Sequence, residues 1–231
     1  MDVLQEKLDS LTDKYSIESK PILTDRSTVI IDDNEFPLLP HRFERRFIEL
    51  KKTVQDGTLV GISVMRVARI VEKGSDIFSE LYRELDLCRY ILGKEITAVT
   101  AMQNGDVLNV IATAEEGIVC TVEISATLAE GETPKDKHEI ISQRGIACDI
   151  VVDAQLKQDS IYVFGENNKK FTDTDFELYG LSADEVAIVR SAFALARNND
   201  LGKEFKAADK ALNTLTDKVK MSVKSGERQV I

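Results

Sequence analysis

The side chains able to do chemistry are few and unevenly spread. There are two histidines, His41 and His138, and three cysteines, Cys88, Cys120 and Cys148. Two histidines are too few to point to a zinc centre or a Ser-His-Asp triad, and neither stands at metal-ligand spacing from a cysteine. The cysteines lie far apart within apolar-patterned segments and read as small buried hydrophobes. Arg83 and Asp86 are three apart on one helix. They either pair with each other or leave the Arg83 fork to bind an anionic or polyol ligand. His41, Arg42, Arg45 and Arg46 gather positive charge at a helix start. That group either binds phosphate or carboxylate, or sits in solvent paired with Glu44 and Glu49. Asp173 and Asp175 alternate along one strand face, but a lone carboxylate pair assigns neither a metal nor glycosidase chemistry. The polar stretch from Gly131 to Lys137 reads as a hairpin tip without special chemistry.

The elements that must position these groups follow from periodicity. Leu4, Leu8, Leu11 and Tyr15 predict a short amphipathic helix that ends before Pro21. Thr28 to Ile31 is a β-branched run meeting the turn residues Asp32-Asp33-Asn34. Phe43, Phe47, Leu50 and Val54 form a helical stripe stopped by Asp56-Gly57. A long strand over Leu59–Val71 precedes a helix over Ile77–Leu92, whose stripe is Phe78, Leu81, Tyr82, Leu85 and Cys88 and whose stop is Gly93. Short strands then follow at 96–102, 107–113, 118–128, 139–143, 147–152, 161–164 and 171–178. Asn104-Gly105, Glu116-Gly117 and the Gly165 to Asn168 stretch supply turns between some of them. Leu181-Ser182-Ala183-Asp184-Glu185-Val186 carries a full capping box and staple. A last helix carries Phe205, Ala208, Leu212, Leu215, Val219 and Val223. The expected fold is α+β, with a large, mainly antiparallel open sheet and helices on one face. Val107, Leu108, Val110 and Ile111 put apolar groups on both faces of their strand, which suits a sheet whose open face meets a second copy of the protein.

Composition narrows the partners. The chain has 231 residues, 43% hydrophobic and 30% charged, enough for a real core. Thirty Lys and Arg against 40 Asp and Glu give a net charge of −10, which disfavours nucleic acid and anionic membrane surfaces. Nine Phe, five Tyr and no Trp supply few stacking platforms for single strands. The longest charge-free run, Ile96 to Gly105, falls well short of the ~20 residues a membrane span needs. Met1-Asp2-Val3-Leu4 has no basic segment leading into an apolar one, so a cytoplasmic location is expected.

Several segments together resemble the C-terminal domain of the glucose-fructose oxidoreductase / inositol dehydrogenase (Gfo/Idh/MocA) family. His41-Arg42-Phe43, then Phe47-Ile48-Glu49-Leu50-Lys51-Lys52, Asp56-Gly57 and a β-rich strand are similar to the start of that domain. Glu84-Leu85-Asp86-Leu87-Cys88-Arg89-Tyr90-Ile91-Leu92-Gly93 is similar to the family's helix His-Asp-Ile-Asp-Leu-Ala-Arg-Tyr-Leu-Leu-Gly. Ile96 to Val99, the Gly117 hairpin, Ile141 to Gly145 and Val219 to Gly226 follow in the family's order. The resemblance covers residues 38–231 and implies a division into a short helix/strand remnant, 1–40, and a C-terminal-like α+β domain, 41–231.

The resemblance also implies what differs here. Family members carry a Rossmann domain first, but this sequence has no G-x-G-x-x-G, and the stretch before Arg42 is too short for a dinucleotide-binding sheet. No cofactor is expected. Arg83 stands where family dehydrogenases commonly have a catalytic histidine, while Asp86 is retained. A guanidinium cannot take a proton at neutral pH, so no catalytic residue is assigned. Glu18-Ser19-Lys20-Pro21 is similar to the family's Glu-Lys-Pro, with Ser19 inserted. Lys20, Arg42, Arg83 and Asp86 are therefore the candidate ligand-binding residues of a remnant cleft. The expectation is a non-catalytic homodimer that binds a sugar-like or acidic metabolite. The alternative is an oxidoreductase subunit completed by a separate nucleotide-binding chain.

Overall fold

Alternation of buried and exposed residues organises much of the larger sheet, and the computed structural model describes the chain over residues 2–149, 160–164, 169–172, 178 and 180–231. The chain opens with α1 (Asp2–Lys14), then β1 (Ile22–Leu23), β2 (Thr28–Ile31), β3 (Asn34–Pro37) and a 3-10 turn at Pro40–Phe43. α2 (Arg45–Gln55), β4 (Ile62–Glu72) and α3 (Ile77–Leu92) lead into a strand series: β5 (Ile96–Asn104), β6 (Val107–Ala114), β7 (Val119–Leu128), β8 (Lys135–Ser142) and β9 (Gly145–Cys148). β10 (Ser160–Phe164), β11 (Lys169–Thr172), α4 (Ala183–Arg197), α5 (Asn199–Ser225) and β12 (Gln229–Val230) complete it. The turn expected from Gly165 to Asn168, the Asp173/Asp175 pair, and most of the strand ends expected at 147–152 and 171–178 lie outside the described residues. Two units are distinguished, Met1–Phe47 with Thr174–Ala211 and Ile48–Asp173 with Leu212–Ile231, so that α2 and α5 each contribute to both.

In the first unit, Leu4, Leu8 and Leu11 are the buried stripe of α1. Gln5 ties that helix to β1: its side-chain amide donates to Pro21 O at 2.9 Å and its Oε1 accepts from Leu23 N at 2.9 Å. β1, β2 and β3 form a small antiparallel sheet, of which only the middle strand is announced by β-branched sequence. Tyr15 meets Phe193 of α4, ring centroids 5.5 Å apart. α4 starts with the expected capping box, Ser182 accepting from Glu185 N while Glu185 accepts from Ser182 N.

The second unit holds the large sheet, in the order β11-β10-β9-β8-β4-β7-β6-β5-β12 among the described residues. Every neighbouring pair is antiparallel except β4 with β7, so the expected mainly antiparallel α+β architecture is what the structure has. β4 is the joint between two meanders, β5-β6-β7 on one side and β8 to β11 on the other. The long connection from β4 through α3 to β5 is what lets β4 run parallel to β7. α3 begins with Asp76 accepting from Phe78 N at 3.0 Å and ends at Gly93, whose φ of 63° is the left-handed geometry glycine adopts without strain. Met65, Val67, Leu108, Val110, Cys120, Val122 and Ile140 point to the covered face of the sheet. The alternate residues face the other way, where Ile111 is 54% and Met102 70% exposed.

Two sequence expectations change here. β8 starts at Lys135 rather than at Glu139, so the polar stretch ending at Lys137 is partly strand: Asp136 pairs across to Arg69 and Lys137 to Ala68 of β4. Cross-strand ionic partners stabilise a segment whose own residues carry little β signal. His41 and Arg42, expected among solvated basic residues, are buried at 6% and 8% exposure. Arg42 is matched by Glu204 at 3.0 Å and by the Phe205 ring, 5.5 Å from its guanidinium carbon.

Candidate functional site

Helical spacing puts Glu84 inside the apolar stripe of α3, between Leu81 and Leu85, and two-residue alternation puts His138 on the inner row of β8 with Ile140. Each alone would be a charge or polar ring misplaced in a core. Together they meet: His138 Nε2 lies 2.7 Å from Glu84 Oε2. The other ring nitrogen, Nδ1, lies 2.6 Å from Oδ2 of Asp149, the residue after β9, whose Oδ1 accepts from His138 N. All three side chains are shut from solvent.

Two arginines complete the cluster. Arg69, on the inner face of β4, donates to Glu80, reaches Asp136 Oδ2 at 3.2 Å and stands 3.7 Å from Glu84 Oε1. Arg83 pairs with Glu84 and reaches Asp136 Oδ2 at 3.4 Å. Four carboxylates, Glu80, Glu84, Asp136 and Asp149, thus surround two guanidinium groups and one imidazole, and only the rim retains some contact with water.

Burial would drive Glu84 toward its neutral form, but Arg83, His138 and Arg69 overcome it and hold the carboxyl down at about 2. Burial likewise favours neutral His138, and the charges of Asp149 and Glu84, with their hydrogen bonds, push it up to about 9. The ring is therefore an imidazolium at neutral pH, both N–H groups committed to carboxylates. It cannot act as a general base there. Glu84, Asp136 and His138 bring possible ligand atoms within 4.8 Å of one another, as a metal centre would. The same carboxylates already face Arg69 and Arg83, whose positive charge would repel a divalent cation, so the donor set does not suit one.

Of the four candidate ligand residues, Lys20 and Arg42 belong to the first unit and Arg83 and Asp86 to α3 in the second. Lys20 is exposed beside Pro21. Arg42 is engaged by Glu204. Arg83 is half-buried in the ionic cluster, and Asp86 is fully buried. Glu84, His138, Asp149, Arg69 and Asp136 escaped the sequence reading as a group. The available signals were a carboxylate within an apolar helical stripe and a histidine in the inward register of a strand.

No protein-family model matches the sequence, and no curated protein matches it. Solved structures do. An oxidoreductase from Agrobacterium radiobacter, in complex with NAD+, L-tartaric acid and magnesium, superposes with a TM-score of 0.66 at 16% identity, over 83% of this chain and 63% of its own. A protein from Sinorhizobium meliloti 1021 assigned as a myo-inositol dehydrogenase gives 0.63 at 17% identity, over 84% and 64%. A protein from Thermotoga maritima assigned as an oxidoreductase gives 0.56 at 14% identity, covering 98% of this chain and 68% of that one. The chain thus spans about two thirds of the length of these proteins or slightly less. Sequence identity this low speaks for shared fold alone, and the fold is that of the oxidoreductases of the Gfo/Idh/MocA type which the sequence resembles.

Proposed function

We propose that this chain is a non-catalytic relative of such oxidoreductases, a dimerising protein that binds a small sugar-like or acidic metabolite. The observation that supports it is Arg83. It occupies the position of a histidine in the resembled helix, and it is held by Glu84 and Asp136. A guanidinium keeps its proton throughout the physiological range, so it can orient an oxygen-rich ligand but not accept a proton from one. His138, cationic and enclosed, offers no substitute.

The dimer reading rests on the outer sheet face. Ile146, Ile141, Val64 and Val119 make an apolar row across four strands, and Arg66, Glu139, Lys137 and Glu123 stand on the same face. A patch of that kind, apolar with both signs of charge beside it, can match a second copy of itself about a two-fold axis. Light scattering behind a sizing column tests it, and a strict monomer at roughly tens of micromolar would refute the dimer.

A second reading is favoured by the structural neighbours themselves, since one is in complex with NAD+ and another, a levoglucosan dehydrogenase, with NADH and levoglucosan. In that reading the chain works with a nucleotide-binding partner. Calorimetry separates the two. With the chain alone, the first reading expects no heat from NAD(H) or NADP(H) and a saturable signal from an acidic polyol such as L-tartrate, lost in Arg83→Gln. Dinucleotide binding by the chain, with turnover of a sugar alcohol, overturns it. Co-purification with a separate dinucleotide-binding chain supports the second.

A further inference from the structure

His138 has a buried carboxylate partner on each side. Its Nε2 faces Glu84 of α3 and its Nδ1 faces Asp149 beyond β9. An ionised carboxylate only accepts, so both contacts are hydrogen bonds only while both ring nitrogens carry protons. A neutral imidazole has one N–H. Its bare nitrogen would then point a lone pair at a carboxylate oxygen less than 3 Å away, in a place no water reaches. That arrangement is repulsive and cannot persist.

We propose that His138 is a proton-operated latch: doubly protonated, it fastens α3 to the end of the β8–β9 hairpin, and on losing one proton it lets one of the two carboxylates go. The remaining charged groups around the ring decide which. From α3 come Glu80, Arg83 and Glu84; from β4, Arg69; from β8, Asp136; and Asp149 follows β9. Glu84 keeps Arg83 and Arg69 as alternative cations, whereas Asp149 still accepts from His138 N. The Glu84 side therefore opens. The consequence falls on α3, and with it on Arg83, which shares Asp136 with Arg69 across the seam. The latch does not depend on any ligand or on catalysis.

Nitrogen-15 NMR of the His138 ring in the intact chain, followed from acid to alkaline pH alongside amide exchange, tests this. The expected result is a ring protonated on both nitrogens through neutrality, losing one proton near 9. In the same step, amides of residues 81–91 should exchange at least about tenfold faster than the intrinsic pH dependence accounts for. Asp149→Asn should lower the pH at which the ring loses its proton by about one unit or more and, because the amide N–H can donate to the bare ring nitrogen, should abolish the accompanying rise in exchange along α3. Should that variant not fold, Glu84→Gln serves in its place with the same expectation. A neutral ring at pH 7, or a ring that deprotonates while exchange along α3 follows only the intrinsic trend, overturns the latch.

Discussion

Phe36 of β3 lies with its ring directly against the backbone of Gly202 in α5, and a Cβ placed on that glycine would stand 2.4 Å from Phe36 Cε1. Lys206 holds the ring as well, its Nζ 4.4 Å from the ring centroid. The glycine is thus required by close approach, in a helix where glycine otherwise costs about 1 kcal/mol relative to alanine.

Gly202→Ala should consequently destabilise the protein despite its better helix propensity, by roughly 1–2 kcal/mol net once the overpacking penalty is set against that gain. Phe36→Leu in the same chain should recover part of the loss. Urea unfolding of the two single variants and the double variant measures the coupling. Additive effects would show that ring and backbone do not compete for the same space.

Stability should fall on both sides of a plateau. His138 is raised from its ordinary 6.5 to about 9, so its contribution is complete below 6.5 and is lost as pH rises through 9. Glu84 is lowered from 4.5 to about 2, so its contribution is complete above 4.5 and disappears as pH falls toward 2. Each pKa unit corresponds to about 1.4 kcal/mol, which makes both flanks steep enough for denaturant titrations across pH. His138→Leu should remove the alkaline flank and cost about 3–5 kcal/mol at neutral pH, because two buried carboxylates lose their shared cation.

Ser222 closes an edge. Its buried hydroxyl accepts from Ala101 N at 2.9 Å and donates to Glu227 O at 2.7 Å, continuing the cover that β12 gives to β5. Ser222→Ala should cost about 1–2 kcal/mol and expose the Ala101 amide to hydrogen exchange. Unchanged exchange at Ala101 would mean that water or another group replaces the hydroxyl.

All three cysteines are buried, and Cys88 is held well above its ordinary thiol pKa by its contact with Cys120 and by burial. A thiol reagent should therefore label none of them in the native protein at neutral pH and all three after unfolding in guanidinium. Fast native labelling would contradict the packing of α3 on the sheet.

Ile111→Lys places a charge on the outer face without touching the core, since Ile111 is more than half exposed. It should convert the proposed dimer to monomer in light scattering while leaving the unfolding midpoint of the monomer within about 0.5 kcal/mol. A dimer that survives would move the interface elsewhere.

Much of the architecture was legible because local signals and final partners coincide. The β5–β6 hairpin has Asn104-Gly105 at its turn, and β6 and β7 alternate cleanly between buried and exposed residues. α3 spans the expected residues and stops at Gly93, and it buries Leu81, Leu85 and Cys88 of the expected stripe. The small sheet was half visible, because β1 is only two residues long, β3 is short and largely polar, and both pair through β2. The ionic cluster was hidden for a different reason. Glu84 stands in the apolar stripe of α3 and Asp136 in a polar tip, and nothing local joins them until Arg69, from another strand, is brought beside both. A charged residue turns inward only when its counter-charge arrives from another element, and such pairings have no periodicity to betray them.

The parallel junction of β4 with β7 carries a consequence for synthesis. β4 is translated early, yet both of its sheet neighbours, β7 and β8, leave the ribosome only after α3, β5 and β6. The nascent chain must therefore carry β4 without either of its sheet neighbours through that interval, and the two halves of the sheet join only once β7 and β8 have emerged.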